Sequence, residues 1–138
     1  MSEVARLTFS IEEPLMKRLE DLIAKAGYQN RSEFIRDLIR ARMVEEEWKA
    51  DQEALGTITI IYDHETRNLS GKLTQVQHAH HDHVLATTHI HLDHHTCAEM
   101  IMVRGSATVI EAMADRLRQE KGVYHATLSM SSTGRQLA

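Results

Sequence analysis

The sequence predicts an α+β chain in two parts: a strand-helix-helix unit over residues 1–50 and a β-α-β-β-α-β unit over residues 51–138. Three observations point there. The chain opens on alternating apolar and polar residues, followed by two stretches whose apolar residues recur at helical spacing. From Thr57 onward, β-branched segments and helical stripes take turns in the order strand, helix, strand, strand, helix, strand. Between the halves, Val44 to Gly56 loses the stripe and gains charge, as a helix tail running into a connector would.

In the first unit Val4, Leu7, Phe9 and Ile11 are the apolar positions of a short strand, and Arg6, Thr8 and Ser10 share its polar face. Pro14 suits the first turn of a helix striped by Leu15, Leu19, Leu22 and Ile23, and Gly27 stops it. Asn30 and Glu33 form a capping pattern before a second helix with Phe34, Ile35, Leu38, Ile39 and Met43 on its apolar face. So short a unit cannot bury enough surface alone, and a lone strand needs a partner. Two copies across a twofold axis solve both problems.

The second unit begins with a β-branched strand, Thr57 to Tyr62. A helix follows from Thr66 to about His81, carrying Leu69, Leu73 and Val76 on one face. Val84 to Leu92 and Ala98 to Arg104 form a hairpin, and Gly105 turns the chain into a helix over Ser106 to Glu120. After Gly122, Val123 to Met130 is the last strand, and Ser131 to Ala138 a loose tail. This is the split-βαβ pattern of ferredoxin-like folds. Trp48, the only tryptophan, is expected to pack on one of the two units.

Composition narrows the function classes. A chain of 138 residues with 42% hydrophobic and 26% charged residues is of globular type. It has no apolar run long enough to span a bilayer and no leader pattern, and its single cysteine rules out an intrachain disulfide, so a cytoplasmic location is expected. A net charge of −4 means that any DNA-binding surface must be local.

The chemistry concentrates in one stretch. Eight of ten histidines lie between His78 and His95, with Cys97 just beyond. His89 and His91 are spaced i, i+2 on a strand and share a face, and a hairpin through Asp93, His94, His95 and Thr96 returns Cys97 towards them. His78 is available upstream as a fourth donor. Such a set suits tetrahedral zinc, or a flat Ni(II) or Cu(II) site. His80, His81, His83, His94 and His95 are read as helix or turn surface. A metallohydrolase is disfavoured, since four protein ligands leave no open position and no general base stands out. A metal storage or delivery protein and a zinc- or copper-responsive regulator remain as alternatives.

The first unit resembles the ribbon-helix-helix regulators, which insert a β-ribbon into the major groove. Arg6, Thr8 and Ser10 would then meet base edges. Asn30, Arg31 and Ser32 at the second helix start, with Arg36 a turn later, would meet phosphate. Over nearly its full length the chain resembles the nickel-responsive transcriptional regulators called NikR, a ribbon-helix-helix domain joined to an ACT-type ferredoxin-like domain. The most specific motifs are Gly27-Tyr28-Gln29-Asn30-Arg31-Ser32-Glu33, Gln77-His78-Ala79-His80-His81-Asp82, and His89-Ile90-His91-Leu92-Asp93-His94 ahead of Cys97. The resemblance implies one Ni(2+) per chain, in a square plane of His89, His91 and Cys97 with His78 from a neighbouring copy. It also implies a homotetramer built as a dimer of dimers, a palindromic operator, and repression of nickel uptake genes. Gln77 and Glu99 would orient ligand imidazoles. Glu33 and Asp37, one helical turn apart, would hold a weak second cation such as K+.

Overall fold

Residues 3–138 are described by a computed structural model. The chain divides into two compact units, Met1–Arg40 and Ala41–Ala138, so the division falls earlier than the boundary expected at residue 50. The cause lies in the tail of the second helix, where Trp48 joins the core of the second unit and donates its indole N–H to the Ser131 carbonyl at 2.8 Å.

In the first unit, α1 runs Glu13–Ala26 with Pro14 in its first turn. Gly27, at φ 77°, lets the chain leave in the left-handed region. Its N–H bonds to the Ala24 carbonyl, and the Tyr28 N–H to that of Ile23. The second helix, α2, spans Arg31–Lys49. As the pattern at Asn30 and Glu33 predicts, Asn30 Oδ1 accepts from the Glu33 N–H at 2.9 Å. The expected strand over Val4–Ile11 differs. These residues have no regular secondary structure, are almost all exposed, and pair with no strand among the described residues. A strand exists only through ladder bonds to a neighbour, and the described residues of one chain offer none.

The second unit packs two helices on one face of a four-stranded sheet. Its elements are β1 (Glu53–Asp63), α3 (Leu69–Ala79), β2 (Val84–His91), β3 (Thr96–Ser106), α4 (Ala107–Arg118) and β4 (Val123–Ser131). The strand order is β2-β3-β1-β4, every neighbouring pair antiparallel, which is the ferredoxin-like arrangement. Along β1, Ala54, Gly56, Ile58, Ile60 and Tyr62 are buried and their neighbours are not. They meet Leu69 and Leu73 of α3 and Ile110, Met113 and Leu117 of α4, all essentially without solvent exposure. Burying a side chain of this kind contributes about 1.5–3 kcal/mol.

Several bounds move for identifiable reasons. The first strand starts at Glu53, not Thr57, because Glu53 to Gly56 pair with Ser106 to Val103 although their types do not favour strands. Helix α3 is shorter at both ends: Asn68 enters it at φ 63°, and the chain from His80 to His83 is turned. Gly105 is no turn but part of β3, and the reason it lacks a side chain is His83. A Cβ there would stand 2.8 Å from the His83 ring, whose Nδ1 lies 3.2 Å from the Arg104 carbonyl. His83 is therefore wedged against the sheet rather than being a surface bystander. In the tail, Arg135 lies 3.6 Å from Glu53 in an exposed pair.

Candidate metal centre

Strand register brings the donors together. Cys97 on β3 is flanked by His91 on β2 and Tyr62 on β1, and Glu99, two residues on, is flanked by His89 and Ile60. All six positions belong to the face that carries Ile58 and Ile101, towards the helices. Cys97 is completely buried, whereas His89 and His91 are exposed on an edge strand. The Cys97 Sγ lies 3.2 Å from Nδ1 of His91, close enough for both to reach one ion at ligand lengths of about 2.0–2.3 Å. The rings of His89 and His91 are 5.1 Å apart. Burial pushes the Cys97 thiol pKa up, and the charges of Asp93 and Glu99 add to the effect. An ion binding here has to displace the thiol proton, so affinity rises with pH.

Two partners set the ring of His89. The Tyr62 hydroxyl lies 3.1 Å from Nδ1, and Glu99 Oε1 is at 3.6 Å. Burial, with the charges of Glu99 and Cys97, pushes the Tyr62 pKa up to about 12, so the phenol stays neutral. Were the other ring nitrogen of His89 to hold a metal, Nδ1–H would donate to the Tyr62 oxygen, which would fix tautomer and ring plane together. Gln77 at the end of α3 donates to Glu99 at 2.9 Å and accepts from the Thr87 hydroxyl at 2.8 Å. Gln77 therefore links the end of α3 to Glu99 on β3 and Thr87 on β2.

His78 does not join the donors of its own chain. It sits in the last turn of α3 with its ring 6.0 Å from that of His81. The group of potential donors found among the described residues is His64, His91 and Cys97, whose ligand atoms lie within 4.8 Å of one another. Tyr62 and His64 are the residues that sequence reading missed. Their signal was present, an i, i+2 pair at the end of a strand, but nothing local tells which strand end will lie beside the hairpin.

In the first unit, Arg6, Thr8 and Ser10 are exposed on the unpaired segment. Asn30 is committed to capping, Arg31 pairs with Glu20 at 2.9 Å, and Arg36 bonds the Ser32 carbonyl and Glu33. Such exposed pairs are weak and exchange readily. Asp37 accepts from the Tyr28 hydroxyl and pairs with Arg40.

Residues 55–131 match the family described as the NikR C terminal nickel binding domain, and residues 5–46 match the ribbon-helix-helix protein, copG family. A nickel-responsive regulator of Geobacter sulfurreducens is 50% identical over 138 residues, covering 99% of each chain. The chain belongs to the nickel-responsive regulators. One from Caldanaerobacter subterraneus is 45% identical over 97% of this chain and 88% of its own, and one from Desulfovibrio desulfuricans 41% over the full length of both. A solved structure, an uncharacterized protein of Thermotoga maritima, superposes with a TM-score of 0.52 at 12% identity over 57% of this chain and 98% of its own, which supports the fold alone. Membership makes the chain a nickel-sensing transcriptional regulator with a DNA-binding and a nickel-binding domain, and not an enzyme. The donor set fits that metal: imidazoles and a thiolate suit nickel, and the oxygen-rich sets of magnesium and calcium are absent from it. Among the described residues no helix is long and apolar enough to cross a membrane.

Proposed function

We propose that the chain represses nickel uptake genes by binding a palindromic operator when nickel is abundant. One Ni(2+) per chain is held by His89, His91 and Cys97, with His78 supplied by a neighbouring copy in a homotetramer. The observation that carries this reading is the convergence of His89, His91 and Cys97 on one face while His78 stands apart on the end of α3. A donor separated from its own set is free to complete another chain's. Nickel, when bound, supplies a joint between subunits; the chain's own residues do the rest. Gln77 ties the helix end that bears His78 to Glu99 and Thr87, so ligation through His78 and the order of that helix end are linked.

In the first unit, an apolar groove lined by Phe9, Ile11, Leu15, Leu22, Phe34 and Leu38 is open in the single chain. A second copy closes it, and the paired segments at residues 4–11 form a ribbon offering Arg6, Thr8 and Ser10 to base edges, with Asn30, Arg31, Ser32 and Arg36 at phosphates. Metal that favours one arrangement of the reading units tightens operator binding, and operator tightens metal binding by the same factor. Glu33 and Asp37 take a weak cation such as K+ only if Arg36 leaves Glu33.

The test pairs two titrations. Nickel added to the apo protein should give a thiolate charge-transfer band saturating at one ion per chain, absent in Cys97→Ala. Nickel should also tighten operator binding in wild type, but Arg6→Ala should lose the operator and keep the band. An unchanged band in Cys97→Ala, or operator binding indifferent to nickel, would reject the reading. Full operator affinity in Arg6→Ala would reject the ribbon as the reading element.

A further inference from the structure

Between α3 and α4 lies a groove of about 530 Å³ that the metal centre does not use. Helix α3 lines it with Lys72, Gln75, Val76 and Ala79, which recur at i, i+3, i+4 and i+7 and so share one face. Helix α4 adds Arg116 and Glu120, one turn apart. The apolar members, Val76 and Ala79, are small, so the space above them is left to the ends of the polar side chains. Its volume falls in the range of small-molecule sites.

The polar groups there are poorly matched to one another. Lys72 has no acidic partner among the described residues. The Glu120 side chain is only 18% exposed, yet its one ion pair is with Arg116 Nε at 3.9 Å, which is long. No side-chain hydrogen bond reaches that carboxylate among the described residues. His80 also lines the groove, and its Nδ1 donates to the Val76 carbonyl at 2.8 Å, which leaves Nε2 of the neutral ring as an acceptor. Two cations thus face a carboxylate, an amide and a ring nitrogen. A phosphate monoester matches the cations through charge-assisted bonds to Lys72 and Arg116. Hydroxyl groups match the rest by donating to Glu120, Gln75 and His80. No Phe, Tyr or Trp lines the groove, so a nucleobase finds no broad ring to stack on.

We propose that the α3–α4 groove binds a small sugar or polyol phosphate, and that its occupancy raises the affinity for nickel. The coupling, though not the binding, rests on the nickel-sensing reading. Helix α3 is the link. One of its faces lines the groove, its Gln77 bonds to Glu99 and Thr87, and His78 stands in its last turn. A ligand that fastens α3 to α4 removes freedom that ligation through His78 must otherwise remove, so each favours the other by the same factor. The regulator then responds to nickel together with a phosphorylated metabolite.

The experiment titrates the full apo chain with glucose 1-phosphate in a calorimeter, beside inorganic phosphate and glucose. Glucose 1-phosphate should saturate at one per chain and bind more tightly than either control. Lys72→Ala and Arg116→Ala alter exposed side chains and should each weaken it by about tenfold or more, the effect of losing one hydrogen bond to a charged group. Arg67→Ala, which removes an exposed cation just before α3 and outside the groove, should leave it unchanged. Binding no tighter than that of inorganic phosphate, or an equal loss in Arg67→Ala, overturns the site. So does a chain that ignores glucose 1-phosphate but loses operator affinity in Lys72→Ala, because the groove's cations would then serve the DNA backbone. A nickel titration with and without glucose 1-phosphate reads the coupling, which should be about fivefold or more in wild type and absent in Arg116→Ala. Equal nickel affinities overturn the coupling with the nickel-sensing reading intact. A chain without a nickel–thiolate band sinks that reading and leaves the calorimetric result standing.

Discussion

Ile101 and Leu38 are apolar residues of the same volume, and both sit on the face their periodicity assigns to a core. Ile101 has no solvent exposure, whereas Leu38 is 53% exposed. The contrast runs through the two units. Ile58, Ile60, Ile110 and Met113 are sealed within Ala41–Ala138; Leu15, Leu22 and Ile39 stand more than half exposed in Met1–Arg40. Size explains it. Two helices laid over a four-stranded sheet close a core by themselves, while two helices and an unpaired segment have one layer too few. Identical sequence signals thus mean different things: in one unit an apolar stripe marks an interior, in the other a surface awaiting a second layer.

Truncating the two residues separates these meanings. Ile101→Ala should lose about 2–5 kcal/mol in urea unfolding at any protein concentration, the range for deleting a fully packed aliphatic side chain. Leu38→Ala should cost far less in dilute solution and progressively more as concentration rises, because only a covering copy buries it; a loss independent of concentration would break the comparison.

How far this was readable in advance depends on what sets each feature. The buried alternation from Thr57 to Tyr62 and the α4 stripe of Met113, Ala114 and Leu117 are local, and the chain declares them. The facing of His89 and His91 follows from strand period alone. The place of His64 does not, because it depends on a loop held to the turn at His95 by tertiary bonds. Nor does the start of β1 at Glu53, where pairing with β3 overrides weak local preference. The segment at Val4–Ile11 shows the limit from the other side: its alternation is plain, yet one chain lacks the partner that would make it a strand.

The second unit's tightness admits a further test. Gly105→Ala places a methyl against the His83 ring at 2.8 Å, so the ring must move and lose its bond to the Arg104 carbonyl. A cost of about 1–3 kcal/mol is expected from such overpacking. In the first unit, Asn30→Ala removes the cap of α2 and should cost about 1 kcal/mol, read as reduced helicity and a lower midpoint.

The smallest effect is electrostatic. Asp51 accepts from the Thr108 N–H at 2.7 Å at the start of α4, and that bond holds its carboxyl below the ordinary value. A carboxylate with a depressed folded pKa adds stability that is present above its ordinary value and is lost as pH falls through the folded one. Asp51→Asn should therefore lower the melting temperature slightly at neutral pH, with the difference from wild type closing as the solution is acidified below pH of about 4. A difference that persists unchanged in acid would assign the effect to shape rather than charge.

Trp48 has an optical consequence. It is the chain's single indole, 6% exposed, and its ring nitrogen is tied to the last residue of the final strand. Light absorbed at the tryptophan edge is therefore re-emitted from one place, where the end of α2 meets β4. Emission should be blue while that seam is shut and shift red when it opens. The protein carries its own lamp, and it shines only on Ala41–Ala138.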